Sequence, residues 1–180
     1  MPSRRGFDKY RNPVLIESGS YNGDGIQDAL TNGFDRVISF EVSASLHAAC
    51  KRRFQGNPKV TLVHGSTNKC LPEYLQSIRD PITFWLDGHY SHVPECSFVG
   101  KPCPIIEELQ VIMSFSSGRT KDVILIDDRR LMRPSAVLSD GMFSVRESDV
   151  VEILRKINPN FQISYIDGHV KDDIIVAAPL

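Results

Sequence analysis

The chain has 180 residues, 41% of them hydrophobic and 24% charged, with 21 basic against 22 acidic side chains. That length and apolar content suit one domain with a real core, and a net charge of −1 excludes both a disordered chain and a surface built mainly for nucleic acid or anionic lipid. No apolar run reaches the roughly 20 residues that span a bilayer, the start has no secretory signal, and four cysteines are too few for a disulfide scaffold, so the expectation is one soluble, cytoplasmic domain over residues 1–180, with 1–12 as an N-terminal extension.

No internal repeat interrupts the chain. Residues 14–16 open a series of short, Val- and Ile-rich runs without polar alternation, the mark of strands covered on both faces. Residues 25–30, closed by Gly33, read as a short helix before the second run at 37–40. Ser43 is a plausible N-cap for the stripe Leu46, Ala49, Cys50 and Phe54. The third run, 60–63, precedes the stripe Leu71, Leu75 and Ile78, with Pro72 in a first turn. The fourth run, 82–86, precedes Ile106, Leu109, Ile112 and Met113, a helix opened by Pro104. The fifth, 123–126, precedes Val150, Val151, Leu154 and Ile157, after Ser148. Alternating strands and helices predict a parallel sheet. The last two runs, 161–166 and 174–178, stand too close for a crossover helix and should pair antiparallel. The fold class is α/β: a Rossmann-like open sheet of five parallel strands plus a C-terminal antiparallel hairpin. Two long connections, 88–103 and 129–146, are candidates for function.

Ligands of such sheets bind beyond the carboxyl ends of the strands. There the chain has Glu17 with Gly19, Ser20, Tyr21 and Gly23, then Glu41, then Gly65-Ser66, then Asp87-Gly88-His89, then Asp127-Asp128. A lone acid at a strand end is often a helix cap. Carboxylates at four of five ends point instead to a site for a cationic or hydroxyl-rich ligand. The first loop is not the dinucleotide fingerprint, because the second glycine of G-x-G-x-x-G is missing. Its acid suits an ammonium group, and Glu41 suits a ribose diol.

Glu17-x-Gly19…Gly23, Glu41 and Gly65-Ser66 together resemble the cofactor site of class I S-adenosylmethionine-dependent methyltransferases, over nearly the whole chain. The resemblance implies a cofactor site at Glu17, Gly19, Ser20, Tyr21, Gly23, Glu41, Val42, Gly65, Ser66 and Asp87. In it the first acid binds the methionine amino group and the second binds the ribose. The chain departs from the commonest motif at Tyr21, where glycine is usual.

The second half is similar to metal-dependent sugar O-methyltransferases of the macrocin type. The likeness lies in Phe84-Trp85-Leu86-Asp87-Gly88-His89-Tyr90-Ser91 and in Val123-Ile124-Leu125-Ile126-Asp127-Asp128. It implies Mg²⁺ or Mn²⁺ on Asp87, Asp127 and Asp128, a donor set suited to a hard cation. It also implies transfer of a methyl group to a sugar hydroxyl, on a glycan or a deoxysugar such as rhamnose. The family's base is an acid two positions after the first metal Asp; here His89 stands there, with a suitable pKa for taking a hydroxyl proton. His89 is equally a candidate metal ligand or a polar loop residue. Tyr90, His92, Arg129 and Arg130 flank this centre as acceptor contacts or solvated loop residues. A catechol-like small molecule fits the same chemistry, and a non-catalytic cofactor-binding protein is a further alternative. His89, His92, Cys96 and Cys103 form a rival set, for zinc or for a Cys96–Cys103 disulfide. The expected partners are a sugar or glycan acceptor, with no nucleic acid and no membrane, and the expected assembly is a monomer or homodimer.

Overall fold

The computed structural model describes residues 3–90, 96, 100–132 and 145–180. In chain order they form β1 (Val14–Ser18), α1 (Asp24–Thr31), β2 (Arg36–Glu41), α2 (Ala44–Arg53), β3 (Val60–His64), α3 (Thr67–Leu75) and β4 (Ile82–Leu86). There follow α4 (Ile105–Ser114), β5 (Val123–Ile126), a 3₁₀ turn (Arg129–Met132), α5 (Glu147–Ile157), β6 (Phe161–Ile166) and β7 (Ile174–Pro179). One seven-stranded sheet runs β3-β2-β1-β4-β5-β7-β6. β1 to β5 are parallel, and β7 inserts antiparallel between β5 and β6. The open α/β sheet with a closing hairpin is the architecture expected from the sequence.

Alternation along the strands explains why the runs are apolar throughout. Ile16, Ile38, Phe84 and Ile124 face one layer with Leu71, Leu109 and Leu154 from α3, α4 and α5. Leu15, Val37, Trp85 and Leu125 face the other, with Ile26 and Ala29 from α1. Both faces are covered, so the strands lack a regular polar alternation, and the polar residues they bury, such as Glu17 and Ser39, need partners.

Residues 3–12 are part of this second layer rather than an appendage. Phe7 is fully buried, edge-on to Phe34 at 5.5 Å and to Trp85 at 5.7 Å. Asn12 then fastens the amino-terminal edge of the sheet, its Nδ2 donating to the carbonyls of Ile82 at 3.0 Å and Lys121 at 3.1 Å. Asp122 completes that edge by accepting from the Ile82 backbone N–H and the Arg119 guanidinium.

Three helices differ in detail from expectation. α3 begins at Thr67, so Pro72 sits inside the helix rather than in its first turn. α4 buries Ile105, Glu108, Leu109 and Ile112, a stripe shifted from the one through Ile106 and Met113. α5 begins at Glu147, one residue before Ser148, with Arg146 as N-cap. Of the long connections, 91–95, 97–99 and 133–144 lie outside the described residues. Among the described residues, no helix is long and apolar enough to cross a membrane.

Phe7 makes the N-terminal segment a stability determinant. Phe7→Ala is expected to lower the unfolding free energy by about 3–5 kcal/mol, the usual cost of emptying a buried aromatic site. Urea denaturation of both proteins measures it.

Candidate active site

The carboxyl ends of β1 and β4 lie unusually close together. A Cβ on Gly19 would sit 2.7 Å from the Asp87 carbonyl oxygen, and one on Gly88 would sit 2.1 Å from Ser18 Oγ. Gly19 meets backbone and so excludes a side chain, whereas one on Gly88 would have to displace the Ser18 hydroxyl. Gly19 also has φ +83°, which glycine adopts at no steric cost. Beyond these ends opens a cavity of about 220 Å³. Gly19, Tyr21, Glu41, Val42, Gly65, Ser66 and Asp87 line it. Ser18, Phe40, Thr67, Gly88, His89 and Glu108 also line it, with Cys96, Lys101 and Pro104.

Tyr21 adopts the left-handed conformation that the missing glycine would supply, with φ 44°. The strain, of order 1 kcal/mol, turns its backbone N–H toward Glu41, which accepts it at 2.9 Å. The other Glu41 oxygen accepts from the Ser43 N–H at 2.9 Å. The loop after β1 and the turn after β2 are thus tied to one carboxylate, which still has lone pairs facing the cavity.

Three expected cofactor residues stand behind the cavity wall. β1 continues through Ser18, so Glu17 is a strand residue on the Leu15 face, beneath α1. It is 1% exposed and accepts from Ser39 Oγ at 2.5 Å. A Cβ on Gly25 would lie 1.8 Å from Glu17 Oε1, so the helix backbone seals it in. Burial pushes its pKa up to about 8, although the Ser39 hydrogen bond pulls the other way. Ser20 is also buried, its hydroxyl 2.5 Å from that of Ser39. Gly23, at φ +82°, caps the start of α1. None of these three lines the cavity.

The second-half carboxylates gather around His89, but not as the expected triad. His89 Nε2 is 2.6 Å from Asp128 Oδ2, and Nδ1 is 3.4 Å from Asp87 Oδ1. Ligand atoms of Asp87, His89 and Asp128 lie within 4.8 Å of one another, whereas Asp127 groups with Asp128 and Asp173. The regrouping has a backbone cause. Asp128 has φ 60°, which turns consecutive acids to different sides. Burial works against a charged imidazole, but the hydrogen bonds and charges of Asp128 and Asp87 outweigh it and push His89 up to about 10. Burial, with the charges of Asp87 and Asp128, pushes Asp127 up to about 7.

The flanking residues divide. Arg130 pairs with Asp128 and with the buried Asp173, at the edge of this cluster. Arg129 lies 3.9 Å over the Tyr165 ring and pairs with Glu147 at 2.9 Å, fastening the turn after β5 to α5 and β6. The Tyr90 N–H donates to the Pro102 carbonyl at 2.7 Å. His92 lies outside the described residues. Cys96 and Cys103 are not joined in a disulfide, and no cysteine joins a metal-binding group among the described residues.

Glu108 is the site residue that the sequence analysis missed. It stands on the buried stripe of α4, and its Oε1 accepts from Ser18 Oγ at 2.5 Å. The available signal was a carboxylate three residues after Ile105 and one before Leu109. Reading the stripe from Ile106 turned it outward.

Glu17 gives the fold a specific pH dependence. Its carboxyl titrates at 4.5 when unfolded and near 8 when folded, so between these values the folded state holds a proton that the unfolded state releases. Stability from this group is present below about pH 4.5 and is lost as pH rises toward 8. Glu17→Gln removes the titration. Between about pH 5 and about pH 9 its Tm is expected to fall less than that of the wild type, measured by thermal unfolding.

No protein-family profile and no curated protein sequence matches the chain. Solved structures do match. The chain is similar to the methyltransferase PaMTH1 of Podospora anserina bound to S-adenosylhomocysteine (SAH), with TM-score 0.64 and 12% identity, over 97% of this chain and 74% of that one. It is similar to an O-methyltransferase of Bacillus cereus in complex with SAH, with TM-score 0.64 and 13% identity, over 98% and 78%. A third is TomG of Streptomyces achromogenes, an O-methyltransferase involved in tomaymycin synthesis, in complex with SAM; its TM-score is 0.62 at 14% identity, over 96% and 75%. At these identities the likeness is one of architecture: the chain has the seven-stranded α/β fold of class I methyltransferases.

Proposed function

We propose that the chain is an S-adenosylmethionine-dependent O-methyltransferase, assisted by a divalent cation, whose acceptor is a sugar hydroxyl. One observation carries the reading. A single cavity runs from Gly19, Glu41 and Ser66 to Asp87 and His89, so a cofactor seated over the first strands would present its far end to the carboxylate cluster. The structural neighbours described as O-methyltransferases bound to SAM or SAH support the same cofactor.

The donor set suits a hard cation. Asp87 and Asp128 supply oxygens and His89 a nitrogen within one ligand-sized span, with Asp127 and Asp173 adjoining. When bound there, such an ion supplies positive charge that lowers the pKa of a hydroxyl beside it. The remaining work falls to the chain. Glu41 orients the ribose by accepting from its hydroxyls, and the loop of Gly19 and Tyr21 fixes the amino-acid arm. This alignment matters most, because the methyl of a sulfonium is already activated and needs an acceptor held in line. A ring bonded by both aspartates already carries both protons, so His89 must first release the Nε2 proton to solvent, which loss of the Asp128 hydrogen bond favours; Nε2 can then take the hydroxyl proton. The sugar assignment rests on the resemblance of residues 84–91 and 123–128 to the macrocin-type enzymes. A rhamnose-terminated glycan and a catechol, offered as competing acceptors, test it.

Two measurements test the cofactor and the cation separately. Glu41→Ala is expected to weaken SAH binding about tenfold to a hundredfold in calorimetry, from the lost charge-assisted hydrogen bonds and the loosened Tyr21 loop. EDTA, or Asp128→Asn, is expected to abolish methyl transfer while leaving SAH affinity nearly unchanged. Full transfer in EDTA with an established acceptor removes the cation from the mechanism.

A further inference from the structure

We propose that Glu108, on the helix after β4, binds the ammonium group of the cofactor's amino-acid arm, the role that Glu17 is expected to fill. The inference rests on the methyltransferase reading and names the residue that gives that site its charge selectivity.

Glu108 faces inward from the first turn of α4 and is 1% exposed. Around its carboxylate are hydroxyls rather than cations. Ser18 Oγ donates to Oε1 at 2.5 Å, and the Thr67 hydroxyl bonds the same carboxylate. A Cβ on Gly88 would lie 3.4 Å from Oε1, so the carboxylate stands beside the turn after β4. Ser18, Thr67, Gly88 and Glu108 all line the cavity over β1 and β4. Among the described residues no Lys, Arg or His pairs with Glu108. Lys101, on the same cavity, pairs with Glu107 at 2.5 Å.

An ionised carboxylate in such a place is costly unless a positive group meets it. Burial pushes Glu108 up to about 7, against the hydrogen bonds from Ser18 and Thr67. A ligand cation would restore the balance. The other acids at this edge are committed elsewhere. Glu17 is sealed under Gly25, Glu41 holds two backbone N–H groups, and Asp87 faces His89. Glu108 is the carboxylate that lines the cavity with hydroxyl partners alone. Its place between the ends of β1 and β4 is where the amino-acid arm passes if the ribose sits on Glu41.

Calorimetry with two ligands tests this. SAH carries the amino-acid arm, whereas 5′-methylthioadenosine has the same adenosine and thioether without it. Glu108→Gln keeps the shape and an acceptor for Ser18 and removes only the charge. At about pH 8 it is expected to weaken SAH about tenfold to a hundredfold and to leave methylthioadenosine within about twofold. Retained methylthioadenosine binding also shows that the variant is folded. Glu17→Gln is expected to leave SAH affinity within about twofold at the same pH. Unchanged SAH affinity in Glu108→Gln, or an equal loss for both ligands, overturns the role of Glu108 and leaves the cofactor reading standing. Failure of the wild type to bind either ligand overturns the cofactor reading and this inference with it.

Discussion

The close approach of β1 and β4 at their carboxyl ends governs the upper edge of this molecule. Two glycines meet there, Gly19 against the Asp87 carbonyl and Gly88 against Ser18. Because neither carries a side chain, the loop after the first strand and the turn after the fourth share one wall. The cavity and the acid-rich cluster are therefore neighbours by construction. A side chain at Gly19 would press on the backbone of the turn after β4, and one at Gly88 would displace the Ser18 hydroxyl.

Charge along that edge is handled in three ways. Glu17 is hidden and given hydroxyl partners, Ser39 with Ser20 behind it. Glu41 is satisfied by backbone N–H groups, which turn it into a structural tie as well as a ligand acceptor. Asp128 and Asp173 are balanced by Arg130, and Asp128 by His89 as well. These arrangements differ in how readily they yield to a ligand. Backbone partners leave Glu41 lone pairs free, whereas Glu17 is sealed beneath Gly25.

Much of this could be read before the fold was known, because buried parallel strands announce themselves as unbroken apolar runs. The strand-end rule then located Glu41, Asp87 and Asp127-Asp128 correctly along the edge. It failed at Glu17, where strand length decided the matter. One further pair, Ser18 beside Leu86, keeps β1 in the sheet for another residue, and alternation turns Glu17 under α1. Around His89 the acids group differently from the sequence order, because a left-handed residue at Asp128 reorients two consecutive acids and no composition signal marks it. At Tyr21 tertiary contacts, the bond to Glu41 among them, hold a tyrosine where glycine would rest freely. Helix phase was the weakest inference: a stripe taken one residue late concealed Glu108.

The central position of β1 has a consequence in time. β1 is the first strand made, yet its two neighbours arrive far apart: β2 ends at Glu41 and β4 only at Leu86. Asn12 waits longer still, because one of its acceptors is the Lys121 carbonyl. During synthesis one side of β1, apolar over its first three residues, thus stays open for pairing while some forty residues between Glu41 and Leu86 emerge. At a translation rate of about 5–20 residues per second that interval lasts several seconds. An unpaired strand edge of this kind invites pairing with another chain. That edge of β1 therefore stays open to misassembly until β4 pairs with it.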